Sequence, residues 1–229
     1  MANMNPYEEL QSAIIKGDVE GASDFANQAL DADHDPLDVI NQGVVPATDQ
    51  LGELFGNFEI FLPELILGGA AAKAAMDILV AQIPVDTWSQ SRPGTVVLGT
   101  VQGDLHDIGK NMVGAMLAAS GFEVVDLGVN VPSKDFIKKA EEVGAKIIAI
   151  SSLMSTSLYF QKDVIEYLRD SGKRGDYYVI VGGGPVTPEW ATEIGADGTG
   201  KQANAAVQIC KKLMSEKPEA PLSEPMIIW

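Results

Sequence analysis

Near residue 90 the apolar period of the chain changes, and that change requires two structures joined end to end. Up to that point apolar residues recur every three or four positions. They run Leu10 and Ile14; Ala22, Phe25, Ala26, Ala29 and Leu30; Leu37, Ile40, Val44, Ala47, Leu51 and Leu54; then Leu62, Leu65, Ile66, Met76, Leu79, Val80 and Ile83. Such spacing lines one face of a helix, so four or five amphipathic helices must bury their stripes against one another. Gly17 ends one helix and Asp18 caps the next, Asp35 stands as a cap before Pro36, and Gly43 with Pro46 predicts a kink or split in the third. The expectation for residues 1–90 is a small antiparallel bundle.

Beyond it the period shortens. Thr95–Thr100, Glu123–Asp126, Ile147–Ser151 and Tyr178–Val181 are short β-branched or apolar runs, with a weaker fifth around Ala196–Thr199. Helical patterns over Ile108–Ala119, Ser133–Val143, Leu158–Arg169, Pro188–Ile194 and Ala203–Met214 separate them. Alternation of this kind, with right-handed crossovers, predicts a doubly wound α/β domain of the flavodoxin or Rossmann-like type over residues 91–215. Its five parallel strands should lie in the order 2-1-3-4-5. Gln90–Gly94 reads as a linker, and residues 216–229, with three prolines, as an extended tail.

Charge follows the same division. Residues 1–90 hold two basic and fifteen acidic residues, net −13 of a total of −16. A surface of that sign repels phosphate, which excludes nucleic-acid binding by charge. The most apolar run, Phe61 to Ala72, is broken by Pro63 and Glu64, so no membrane span or membrane partner is expected. The single cysteine, Cys210, fits a reducing cytoplasm and reads as a small buried hydrophobe.

In a sheet of this order a ligand binds at the carboxyl ends of the strands, where strands 1 and 3 diverge. Three loops converge there: Gly103 to Lys110 after strand 1, Ser151 to Ser157 after strand 3, and Gly182-Gly183-Gly184-Pro185 after strand 4. The first holds Asp104, His106 and Gly109. A neutral imidazole is the commonest side-chain metal ligand, a carboxylate two residues away can hold its other nitrogen, and glycine leaves room for a bulky group. One histidine cannot retain a free ion. The other, His34, stands among Asp31, Asp33 and Asp35 in the first part, so a metal bound here must arrive with most of its own ligands, as in a haem or a corrin. The plainer alternative is that Asp104 and His106 only cap the helix beginning near Ile108.

The runs GDLHDIGKNMV, SSLMSTS and VGGGP resemble the cobalamin-binding module shared by methionine synthase and the corrinoid proteins of methyltransferase systems, and LFGNFEIFLPEL resembles the helical cap that precedes that module. The likeness covers roughly residues 5 to 214. It implies a cobalamin or related corrinoid cofactor, with His106 as the metal ligand below cobalt, displacing the cofactor's nucleotide base. Asp104 would be its hydrogen-bond partner, and Ser151 would complete a His-Asp-Ser relay that links ligation to a proton. The surrounding loop, Gly103, Leu105, Asp107, Ile108 and Gly109, would contact the cofactor together with Leu153. Gly182 and Gly183 would line the slot for the nucleotide tail, with Ser155 touching that tail. Gly198 belongs to a segment similar to the family's last binding loop, although Thr199-Gly200-Lys201 departs from its aromatic or acidic residues. Phe61, Leu62 and Leu65 of the cap would cover the upper face, with plain core packing as the competing reading.

By the same resemblance the chain is a shuttle without catalytic activity of its own. Cobalt would cycle between cobalt(I) and methyl-cobalt(III). The methyl group would pass from a substrate-specific methyltransferase to a second methyltransferase with a thiol or folate acceptor, and a reductive activator is a further candidate partner. A cobalamin-dependent sensor, the small subunit of a mutase and a cofactor-free receiver-like module are the alternatives. Exchange of Asp104 for Asn is expected to weaken ligation without unfolding the domain.

Overall fold

The computed structural model describes residues 6–83 and 93–229 and divides into two compact units, one of the helical part together with Ala115–Gly121, the other of Pro93–Gly114 and Phe122–Trp229. Most of the Gln90–Gly94 linker lies outside the described residues. The first unit contains α1 (Pro6–Lys16), α2 (Val19–Asp31), α3 (Pro36–Val39), α4 (Val45–Gly56) and α5 (Leu62–Val80). Gly17 closes α1 with a left-handed backbone, φ 70°, and the Asp18 side chain accepts the Gly21 N–H to start α2. Asp35 likewise accepts the Leu37 N–H at the start of α3.

The expected kink or split at Gly43 and Pro46 is not a break. A wide turn over Ile40–Val44, in which the Val45 N–H reaches the Ile40 carbonyl, carries α3 into α4. Pro46 has no N–H to offer the Gln42 carbonyl four residues back, and the Gln11 side-chain amide donates to that carbonyl instead, at 2.6 Å. Leu10, Ile14, Leu51, Leu65 and Leu79 are buried. The buried face of α5 is made largely of small residues, Gly68, Ala71, Ala72 and Ala75. A Cβ on Gly68 would lie 2.5 Å from Leu51 Cδ1, so backbone and side chains there are in close contact.

From residue 93 the chain alternates β1 (Thr95–Thr100), α6 (Ile108–Ala119), β2 (Glu123–Asp126), α7 (Ser133–Val143), β3 (Ile147–Ser151), α8 (Tyr159–Asp170), β4 (Tyr178–Gly182), α9 (Pro188–Ile194), β5 (Gly198–Gly200), α10 (Ala203–Glu216) and β6 (Met226–Ile228). All pairings are parallel, in the order β2-β1-β3-β4-β5-β6. The sheet therefore has six strands, one more than expected, and the sixth comes from the segment read as an extended tail. Its anchor is distant in sequence. Buried Asp197 accepts the Leu222 N–H at 2.7 Å on one oxygen, and the Val179 N–H at 2.6 Å and Arg174 at 2.8 Å on the other. Cys210 is buried within α10, and that burial pushes its thiol up to about 12.

Strand register decides where the site forms. Thr100 stands level with Ser151, and Ser151 with Gly182, so the loops after β1, β3 and β4 leave the sheet side by side. The Val101 N–H donates to the Ser151 carbonyl and the Ser152 N–H to the Gly182 carbonyl, extending the ladder one step into those loops. Buried Gln161, from α8, donates to the Ile150 and Gly182 carbonyls at 3.1 and 3.0 Å and ties the last two loops together.

Candidate functional site

Asp104 is fully buried at the centre of these loops, and both its oxygens accept only. Oδ1 takes the His106 N–H at 3.0 Å and His106 Nδ1 at 2.6 Å. Oδ2 takes the Leu153 N–H at 2.7 Å, the Met154 N–H at 3.3 Å and the Ser157 hydroxyl at 3.0 Å. Burial alone would raise the carboxyl's pKa. The donors from His106, backbone and ring, and from Leu153 and Ser157 outweigh it and hold the group well below the usual carboxylate range.

An ionised carboxylate has no proton to give, so Nδ1 carries the hydrogen, and in the neutral ring the lone pair lies on Nε2. Nε2 has no partner among the described residues, and the His106 side chain is 52% exposed. Around it Leu105, Ile108 and Leu153 stand exposed, an apolar rim that water does not reward. A Cβ added at Gly109 or Gly182 would meet nothing within 4 Å, so both glycines open onto free space. No cluster of three His, Cys, Asp or Glu side chains able to hold a bare ion occurs among the described residues. An oriented nitrogen donor, an apolar rim and open space over two glycines fit a flat, largely apolar group that brings its own metal and equatorial ligands.

Ser157, not the expected Ser151, is the serine hydrogen-bonded to Asp104. Ser151 closes β3, where its backbone is spent on the ladder, and it is not a partner of Asp104. The loop beyond it turns back through hydrogen bonds from the Ser157 and Leu158 N–H groups to the Met154 carbonyl, and this brings buried Ser157 onto Asp104. Ser152 and Ser157 hydroxyls lie 2.8 Å apart and extend the chain one member further. Ser157→Ala should lower the melting temperature of the apo protein by about 2–8 °C, because a buried charge loses about 1–2 kcal/mol of donor. Ser151→Ala should leave it within about 1 °C, a contrast that thermal unfolding of the two variants checks.

Other expected site residues divide by their surroundings. Gly103 has φ 81°, and its N–H is bound by the Asn130 side chain. Asp107 accepts from Asn111 at the start of α6, and Ser155 is exposed on its loop. Gly183 lacks a side chain for a reason internal to the protein: with φ 130°, a Cβ there would lie 1.8 Å from the Ser152 carbonyl oxygen. Gly198 is buried, and the place of its Cβ is closed by Ile209 Cγ2 at 2.7 Å and Ile180 Cγ2 at 3.3 Å, so it lines no opening. In the helical unit Phe61 is exposed, Leu62 half-buried and Leu65 buried on the interior face of α5, which corrects its assignment to a ligand-covering surface. Sequence reasoning missed Ser157, Thr100 and Asn130. The available signal for Ser157 was that Ser151–Ser157 holds four serines, any of which could have been the partner of Asp104.

Known proteins resemble this chain over most of its length. Residues 94–208 match one family model described as a B12 binding domain, and residues 6–80 match a second of the same description. A corrinoid protein of Desulfitobacterium hafniense is 41% identical over 93% of this chain and 99% of its own length. Dimethylamine corrinoid protein 1 of Methanosarcina mazei is 41% identical over 92% of this chain and 96% of its own. Among solved structures, the methanol:cobalamin methyltransferase complex of Methanosarcina barkeri matches with a TM-score of 0.79 at 26% identity, over 92% of this chain and 80% of that one.

Proposed function

The chain belongs to the family of B12-binding corrinoid proteins, and we propose that it is a methyl carrier in which His106 ligates cobalt from below in place of the cofactor's own nucleotide base. The observation that carries the reading is the imidazole itself, held by buried Asp104 at 2.6 Å with its Nε2 unpartnered beside an apolar rim. When bound, the corrinoid supplies a metal centre able to accept a methyl group and give it up to a nucleophile. The chain's residues do the rest. Asp104 fixes the ring's tautomer and its orientation. The His106 N–H and ring, the Leu153 N–H and the Ser157 hydroxyl, with Ser152 behind it, together keep Asp104 anionic. Leu105, Ile108 and Leu153 would keep water from the bound group, Gly109 and Gly182 leave space for it, and exposed Ser155 would be available to its nucleotide portion.

The partners follow from that role. A carrier needs one protein that loads it and one that unloads it, here a substrate-specific methyltransferase and a second methyltransferase with a thiol or folate acceptor. Support comes from relatives named for dimethylamine and from a solved neighbour that is a methanol:cobalamin methyltransferase complex. The test is transfer of a labelled methyl group from a methylated amine or methanol, through the reconstituted chain, to the acceptor. Dependence on the chain is the expected result, and transfer at the same rate without it contradicts the proposal.

Asp104→Asn belongs in the same assay. Every group facing the carboxylate is a donor, so the amide NH2 must oppose one on either side. The variant should therefore lose about 10- to 100-fold in ligation or transfer and also unfold at a lower temperature, unlike the clean exchange expected from sequence. Wild-type transfer in this variant would remove Asp104 from the account.

A further inference from the structure

The loop presenting His106 is held by two residues outside its own motif. Asn130, in the turn between β2 and α7, has a left-handed backbone, φ 56°. From there its side-chain oxygen accepts the Gly103 N–H at 2.8 Å, and its own N–H donates to the Asp104 carbonyl at 3.0 Å. On the other flank Thr100, fully buried at the end of β1, donates its hydroxyl to the His106 carbonyl at 2.9 Å. The two attachments are themselves linked, because the Val131 N–H donates to the Thr100 carbonyl at 3.0 Å. Three residues of the four-residue run from Gly103 to His106 thus have a main-chain group tied from outside.

A turn that needed only positive φ would be served by glycine, as Gly128 serves two residues earlier with φ 79°. At position 130 the chain uses instead the residue that tolerates this backbone and also carries an amide able to reach the loop. We propose that Asn130, seconded by Thr100, is a positioning residue for the axial ligand: it sets where the His106 backbone stands, and so how firmly the imidazole can hold a cofactor metal. This rests on the reading of His106 as that ligand. A half-exposed ring with one side-chain hydrogen bond cannot define its own distance to a metal, so the main chain must.

The test uses the full chain reconstituted with hydroxocobalamin, as wild type, Asn130→Gly, Asn130→Asp and Thr100→Val. Histidine ligation is read from the absorbance spectrum during acid titration. Asn130→Gly keeps the backbone geometry and removes one hydrogen bond, so the ratio of ligated to unligated cofactor should fall about 3- to 10-fold. Release should then occur at a pH higher by about half to one unit. Asn130→Asp, which retains an acceptor oxygen, should recover most of the loss, and Thr100→Val should lose a similar amount. Thermal unfolding of the apo proteins runs in parallel, and Thr100→Val carries the test if Asn130→Gly does not fold. A wild type that is histidine-ligated, with variants that match its titration whatever their melting temperature, overturns the inference alone. A wild type in which the cofactor's own base stays coordinated overturns the assignment of His106, and the inference with it.

Discussion

His106→Ala is expected to leave the protein folded and to abolish nitrogen ligation by the chain. The side chain is half exposed and has one hydrogen-bond partner, Asp104. After its removal Asp104 still receives the residue-106 N–H, the Leu153 and Met154 N–H groups and the Ser157 hydroxyl, so the buried charge stays compensated and stability should change by only about 1 kcal/mol. No second imidazole can substitute from the same loops. His34, the other histidine, lies in the helical unit, bound at Nδ1 to the Tyr7 hydroxyl at 2.9 Å. Loss of a partner to a ligand costs ~10- to 100-fold, so loss of the ligand itself should lower methyl transfer by at least ~100-fold. Absorbance of the reconstituted variant, with thermal unfolding of the apo form, checks both halves. Retention of the wild-type spectrum would mean that cobalt is held by something else.

The second large effect is on folding and falls on one of two adjacent glycines. Gly183→Ala places a Cβ 1.8 Å from the Ser152 carbonyl oxygen and 2.6 Å from its carbon, on a residue whose φ of 130° already disfavours any side chain. Both opposing atoms are backbone, and Ser152 is in turn tied to the Gly182 carbonyl, so neither strand end can yield cheaply. The cost should be about 3 kcal/mol or more, a fall of roughly 6–12 °C in melting temperature for a chain of this size. Gly182→Ala is the contrast. Its Cβ would point into open space, so melting should move by no more than about 1–2 °C while cofactor affinity falls. Thermal unfolding and cofactor titration separate the two positions. Equal melting temperatures for the two variants would show that the loops after β3 and β4 are not packed as described.

The contrast between those glycines shows where sequence stops being informative. The strands and their order were legible because buried parallel strands require continuous β-branched runs, as in Ile147–Ser151 and Tyr178–Gly182. Asp104 and His106 were legible because their relation is local, two residues apart on one loop. Whatever depends on a loop folding back on itself was not. Ser151 and Ser157 are equivalent as letters, and only the turn that closes on the Met154 carbonyl decides that the second reaches Asp104. Gly182, Gly183 and Gly198 likewise look alike, yet one faces open space, one abuts a carbonyl and one is closed in by Ile209. The sixth strand depends on Asp197, which receives Leu222 across 25 residues, a separation that no local pattern encodes. The wide turn before Pro46 depends on Gln11, 31 residues earlier than the carbonyl it satisfies.

Electron paramagnetic resonance of the chain uniformly labelled with nitrogen-15, loaded with unlabelled cobalamin and reduced to cobalt(II), tests the central claim most directly. Axial coordination by His106 predicts that each cobalt line is split in two by a protein nitrogen of spin one half. Splitting in three, the mark of the cofactor's own unlabelled base still bound to cobalt, would contradict it.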